Sequence, residues 1–156
     1  MSQFRIVEAV HADLPALASL LQELFTMESD FEPGAARQDA GLRLILDNPA
    51  LGRIFVLRVG ENVVGMANAL VTVSTAEGTL VLLLEDVIVA EPWRGKGLGA
   101  RLVNHVMAWA RAQGYSRATL LADRNNPQAL RFYEKLDFRV SAMRVYRKKL
   151  SSQVSG

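Results

Sequence analysis

The stretch Val87-Ile88-Val89-Ala90-Glu91-Pro92-Trp93-Arg94-Gly95-Lys96-Gly97-Leu98-Gly99-Ala100 decides how this chain is read. Val87 to Val89 ends a run of strand type, Glu91-Pro92-Trp93 turns, and Arg94 to Gly99 opens a helix. Glycines at such a junction let backbone N–H groups come close to a ligand, and the helix N-terminus adds the positive end of its dipole. The result is an anion site suited to a pyrophosphate, with charge added by Arg94 and Lys96. A glycine-rich connection serving only close packing is the plain alternative. Gly95-x-Gly97-x-x-Ala100 also satisfies a loose dinucleotide fingerprint, with Asp123 as a ribose ligand. That fingerprint belongs on the first strand of a doubly wound sheet. Here a meander precedes it, and too few residues follow Ala100 for the remaining βα units.

Upstream, Arg53 to Val59, Val63 to Ser74 and Thr79 to Ala90 read as strands joined by turns at Gly60-Glu61-Asn62 and Ala76-Glu77-Gly78. Short turns make them an antiparallel meander. Leu80 to Leu84 is apolar on both faces, the pattern of a central strand covered on both sides. Before them, Phe4 to Val10 reads as a strand. Asp13 caps a helix with Pro15 in its first turn and leucines at helical spacing, and a second helix runs from Arg37 to Leu46, closed by Asn48-Pro49. Downstream, a helix runs from Gly99 to about Gln113, and Arg117 to Ala122 reads as a buried strand. Asn126-Pro127 opens a last helix, and Phe138 to Val140 and Met143 to Leu150 read as closing strands. The expected fold is α/β, one mixed sheet with an antiparallel N-terminal meander. It forms a single domain over residues 1–156, with a core over 3–150 and a frayed tail at 151–156.

Composition narrows the setting. Half of the 156 residues are hydrophobic and 22% are charged, the balance of a globular protein. A formal net charge of +2 gives no case for nucleic acid, and Arg144 to Lys149, interleaved with Val145 and Tyr146, reads as a strand with one solvated face. With no cysteine there is no disulfide framework, thiolate metal site or cysteine nucleophile. His11 and His105 stand far apart and form no ligand pattern, so no metal is expected. Neither a signal peptide nor a run of bilayer-spanning length is read, so the expected setting is cytoplasmic with no membrane partner.

Arg94-x-x-Gly97-x-Gly99 after a strand closely resembles the coenzyme A site of the GCN5-related N-acetyltransferases (GNAT). Asn126-Pro127-Gln128-Ala129-Leu130-Arg131-Phe132-Tyr133-Glu134-Lys135-Leu136-Asp137-Phe138 resembles the second signature of that family. Two motifs in the right order and separation are far more specific than either alone. Asp137 departs from the pattern, standing where the family usually has glycine. That glycine ends the helix with positive φ, a conformation aspartate tolerates better than most residues.

The resemblance implies a GNAT-like acyl-CoA N-acyltransferase fold and acetyl-CoA as co-substrate. It puts the pyrophosphate on Gly95, Lys96, Gly97, Leu98, Gly99 and Ala100, with Asn126 and the backbone of Val87, Ile88 and Val89 along the pantetheine arm. Glu85 and Asp86 interrupt the most apolar strand, where carboxylates are costly unless paired or useful. They are either solvated by a bulge or serve as the base that deprotonates an amine, Glu85 first and Asp86 second. Tyr133 is either a core aromatic or, as the resemblance implies, the donor to the departing thiolate. The acidic residues Glu28, Asp30 and Glu32, with Glu23 nearby, fall where the family lines its acceptor side and favour a small cationic amine. For assembly the resemblance implies a homodimer. Two alternatives stay open: a non-catalytic acyl-CoA-binding module, and acetylation of a protein or peptide amine.

Overall fold

The structure is a computed structural model describing residues 3–28 and 34–151. Its backbone is a five-stranded sheet in the order β1-β2-β3-β4-β5, formed by Phe4–Glu8, Gly52–Val59, Asn62–Ser74, Thr79–Val89 and Ala118–Leu120. The first four strands pair antiparallel, and β5 joins β4 in parallel. The meander and the mixed sheet are therefore as the turns predict. Helices α1 (Leu14–Met27), α2 (Ala35–Leu46), α3 (Leu98–Ala112) and α4 (Pro127–Lys135) fall where the periodicity puts them.

Alternation along the strands separates two cores. Ile54 and Val56 of β2 face the α1 and α2 side with Leu17, Leu21 and Leu42, whereas Phe55 faces α3 with Leu82, Leu84, Leu102 and Val106. Phe55 also receives Trp109 and His105 edge-on, with ring centroids 5.3 and 5.5 Å away, so His105 is a packing residue. His11 meets Asp47 at 2.7 Å on the surface.

Asp13 precedes α1, but its carboxylate does not cap that helix. It turns back to accept from the Val10 N–H at 2.8 Å and from both Arg58 Nη1 and Nη2, at 2.9 and 2.7 Å. A fork-to-fork pair with a part-buried arginine outcompetes one N-cap bond.

Three other expectations are corrected. β5 is three residues long and half-buried, not a buried strand over Arg117 to Ala122; Leu121 is exposed. Phe138 to Val140 and Met143 to Leu150 form no strand among the described residues. Val140, Tyr146 and Leu150 are each more than 90% exposed. Their alternation satisfies the local pattern of a strand, but a strand exists only as one side of a ladder, and that partner is a tertiary matter.

Candidate functional site

The site begins with an irregularity in β4. Met66 pairs with Ile88 and Asn68 with Glu85, so two steps along β3 face three along β4. The extra residue is a β-bulge, and Asp86 within it has φ of 55°. Such a conformation costs a non-glycine residue about 1–3 kcal/mol. A regular strand would send Glu85 and Asp86 to opposite faces. Here both border one cavity of about 350 Å³ between β4, α1 and α2. Its walls are apolar where Leu21, Phe25, Leu42 and Ile45 contribute, and polar at Asn68, Gln38, Arg37 and the two carboxylates.

Electrostatics follow from that placement. Burial pushes the Glu85 carboxyl above the ordinary glutamate range, the neighbouring Asp86 adds to this, and Arg147 opposes it. Burial also raises Asp86, partly offset by Asn68, whose Nδ2 donates to Asp86 Oδ2 at 2.6 Å. A carboxylate raised in this way is a better proton acceptor at neutral pH than an exposed one.

Sequence reading missed Asn68 and Gln38. Asn68 is 2% exposed with its Oδ1 unpaired, and Gln38 is 8% exposed with both amide atoms unpaired. An unpaired buried amide group costs about 1–3 kcal/mol. The available signal was position: Gln38 stands with Leu42 and Ile45 on the inward face of α2, where an aliphatic residue is the rule.

Beyond Leu84 the β4–β5 ladder stops, and Glu85 to Val89 has no partner on that side among the described strands. The chain then leaves β4 through a short 3-10 turn, Glu91–Trp93, into α3. Gly95 and Gly97 both have φ of 77°, a region closed to most side chains, so these two glycines are required by the turn. A Cβ on Gly99 would lie 3.3 Å from the Phe132 ring, so this glycine lets α4 close against the start of α3. The N–H groups of the first turn of α3, at Leu98, Gly99 and Ala100, have no carbonyl partner within the helix. Lys96 is exposed beside them. Arg94 also has partners within the protein. Its Nε donates to the Val89 carbonyl at 2.7 Å and its Nη2 to Glu23 at 2.5 Å, tying the turn to β4 and α1.

Asn126 caps α4, accepting from the Ala129 N–H at 3.1 Å. The helix closes as its sequence requires. Asp137 takes φ of 70°, Asp137 N–H donates to the Glu134 carbonyl, and Phe138 N–H donates to the Tyr133 carbonyl. Phe138 thus completes a helix cap, its ring 5.8 Å from that of Tyr133. Burial, then the Glu28 carboxylate, push the Tyr133 hydroxyl up to about 12. Glu28 therefore acts on Tyr133, while Asp30 and Glu32 lie outside the described residues. No group of three metal-ligating side chains occurs among the described residues.

Comparison with known proteins agrees with this fold. No curated protein matches the chain in sequence. Among solved structures, a chain from Clostridium difficile 630 superposes with a TM-score of 0.85 at 21% identity, covering 94% of this chain and 97% of its own. An acetyltransferase from Trypanosoma brucei gives 0.72 at 26%, with 94% and 99% covered. A transcriptional regulator from Bacillus halodurans C-125 gives 0.81 at 27%, also with 94% and 99% covered. Residues 14–138 match the acetyltransferase (GNAT) family, and the chain belongs to it, as an acetyl-CoA-dependent N-acetyltransferase.

Proposed function

We propose that this protein transfers the acetyl group of acetyl-CoA to a primary amine of a small cationic molecule, by direct attack within a ternary complex. The observation that carries this reading is the positive φ of Asp86, which turns Glu85 and Asp86 toward one cavity beside the stretch of β4 that the β5 ladder does not reach.

The residues present fit the co-substrate. The left-handed Gly95 and Gly97, with the first N–H groups of α3 and the exposed Lys96, would hold its pyrophosphate. The open edge at Val87, Ile88 and Val89 would take its pantetheine arm by added-strand pairing, with Asn126 beside it. When bound, acetyl-CoA supplies a thioester carbon open to attack by a neutral amine.

The protein's task is then proton management. An alkylamine with a pKa of about 10.4 is mostly protonated in water, so its neutral fraction attacks, and Glu85, raised by burial, takes the proton that the nitrogen sheds as it bonds to the acyl carbon. Asp86 stands second, bound to Asn68. Tyr133, at about 12, stays protonated at neutral pH and donates a hydrogen bond to the leaving sulfur. Handing its proton outright to a thiolate of pKa about 8.5 would be uphill by about 5 kcal/mol, so the hydrogen bond is its contribution. The chain has no cysteine to carry an acyl group, which supports direct transfer and suits a reducing, cytoplasmic setting.

Release of free CoA with purified protein, acetyl-CoA and a panel of primary amines tests the reading. Turnover with at least one is expected, and none with any amine or peptide overturns it.

Association with a second copy belongs to the same proposal. Among the described residues β5 is an edge strand, and the apolar-bearing segment 139–150 lies in no strand ladder; two copies satisfy both needs by exchange. Sedimentation would give a dimer that deletion of residues 139–151 abolishes; a monomer at micromolar concentration overturns it.

A further inference from the structure

Gln38 and Arg37 are the polar residues of the cavity that the chemistry above does not use; Arg37 is exposed, whereas Gln38 is buried. It occupies a position of α2 whose neighbours on the same face, Leu42 and Ile45, are aliphatic. A methionine or leucine would pack there without leaving polar atoms to satisfy. The chain instead keeps a carboxamide that is 8% exposed, with neither Oε1 nor Nε2 meeting a partner in the protein. Exchanging the two ends of the amide changes nothing, since both lack partners. Asn68, across the same cavity, spends its Nδ2 on Asp86 and leaves its Oδ1 unmet. A local rule broken without structural return is a mark of function.

The unmet groups have a definite character: two acceptor oxygens, Gln38 Oε1 and Asn68 Oδ1, and one donor, Gln38 Nε2. A second ammonium on the acceptor offers only donors and leaves Nε2 unmet. A carboxylate offers only acceptors and leaves both oxygens unmet. A carboxamide offers N–H and C=O together. The cavity, at about 350 Å³, lies near the lower end of the roughly 300–1,000 Å³ usual for small-molecule sites. It suits one amino-acid-sized unit.

We propose that Gln38, with Asn68, selects an acceptor whose amine lies close to a carboxamide, so that the preferred substrate is an amino amide rather than a polyamine or a free amino acid. This rests on the acetyl-transfer reading and narrows its substrate class. The same chemistry has two sources, a free amino-acid amide and the N-terminal residue of a peptide.

The test uses the full chain, acetyl-CoA and a matched series: glycinamide, glycine, ethanolamine, propylamine, putrescine and triglycinamide. Glycinamide is expected to exceed propylamine, glycine and putrescine at least tenfold in kcat/KM, mostly through KM, because an analogue lacking the amide leaves buried groups unpaired. Triglycinamide exceeding glycinamide indicates a peptide source, and the reverse a free amide; either supports the assignment. Gln38→Met should bring the glycinamide-to-propylamine ratio to within about twofold of one. A ratio unmoved in a folded Gln38→Met protein, as for a merely structural amide, overturns the proposal. So does wild-type preference for putrescine or glycine, a result that needs no variant and leaves acetyl transfer intact. No turnover with any amine fails both readings together.

Discussion

Asn68 Nδ2 donates to Asp86 Oδ2 at 2.6 Å, across the bulge where β4 gains its extra residue. This bond joins the strained residue to the strand beside it and holds one carboxylate while Glu85 stays unclaimed by it. Removing it leaves Asp86 buried without its donor. Asn68→Leu should destabilise the fold by about 1–3 kcal/mol, measured by denaturant unfolding. Because the bond favours the charged form, carboxyl NMR should find the Asp86 pKa higher still in the variant.

Glu85→Gln removes the proposed base. A loss of about 10²–10⁴ in kcat is expected, partly recovered at high pH where the acceptor is already deprotonated. Glu85 titrates above the ordinary glutamate value of 4.5, so the wild-type acid limb of kcat/KM should lie above that pH. Asp86→Asn removes the second cause of that rise and should move the limb downward. Activity lost at every pH would instead make Asp86 the base.

Tyr133→Phe should lower kcat about 10²–10³-fold, the scale for one donor at a developing anion, with little change in acetyl-CoA binding by calorimetry. Since the hydroxyl titrates near 12, no alkaline limb from this residue should appear below about pH 11.

Asp137→Gly restores a residue indifferent to φ of 70° at the end of α4. A gain of about 1 kcal/mol is expected, read as a rise of about 2–4 °C in Tm.

Asp13 forms a part-buried pair with Arg58. Asp13→Ala should cost about 1–3 kcal/mol, because it removes two charge-assisted hydrogen bonds from a part-buried guanidinium. Burial alone would raise the Asp13 carboxyl, but the bonds from Arg58 and Val10 and the Arg58 charge bring it below its ordinary 3.8. The contribution is therefore complete above that pH and is lost as pH falls through the lower, folded value. Acid unfolding of the wild type and the variant should converge there.

The sequence by itself determined the antiparallel meander and the glycine-rich turn. Turn residues, period-2 and period-3.6 patterning and glycines at 95 and 97 are local signals, each written in adjacent residues. It also determined Asp137 at a left-handed position, because few residues can replace a helix-ending glycine. Only the tertiary structure decided which way Glu85 and Asp86 point. One inserted residue in β4 shifts a period-2 pattern by half its length, and whether a strand bulges depends on the neighbour that pairs with it. The same holds for Gln38 and Asn68, far apart in sequence and brought to one cavity by the packing of α2 over the sheet. It holds as well for the pairing of Arg94 with Glu23, which the packing of α1 against the turn brings about. Residues 139–150 give the opposite lesson, since strand-like alternation describes a face, and a ladder needs a partner that no local pattern contains.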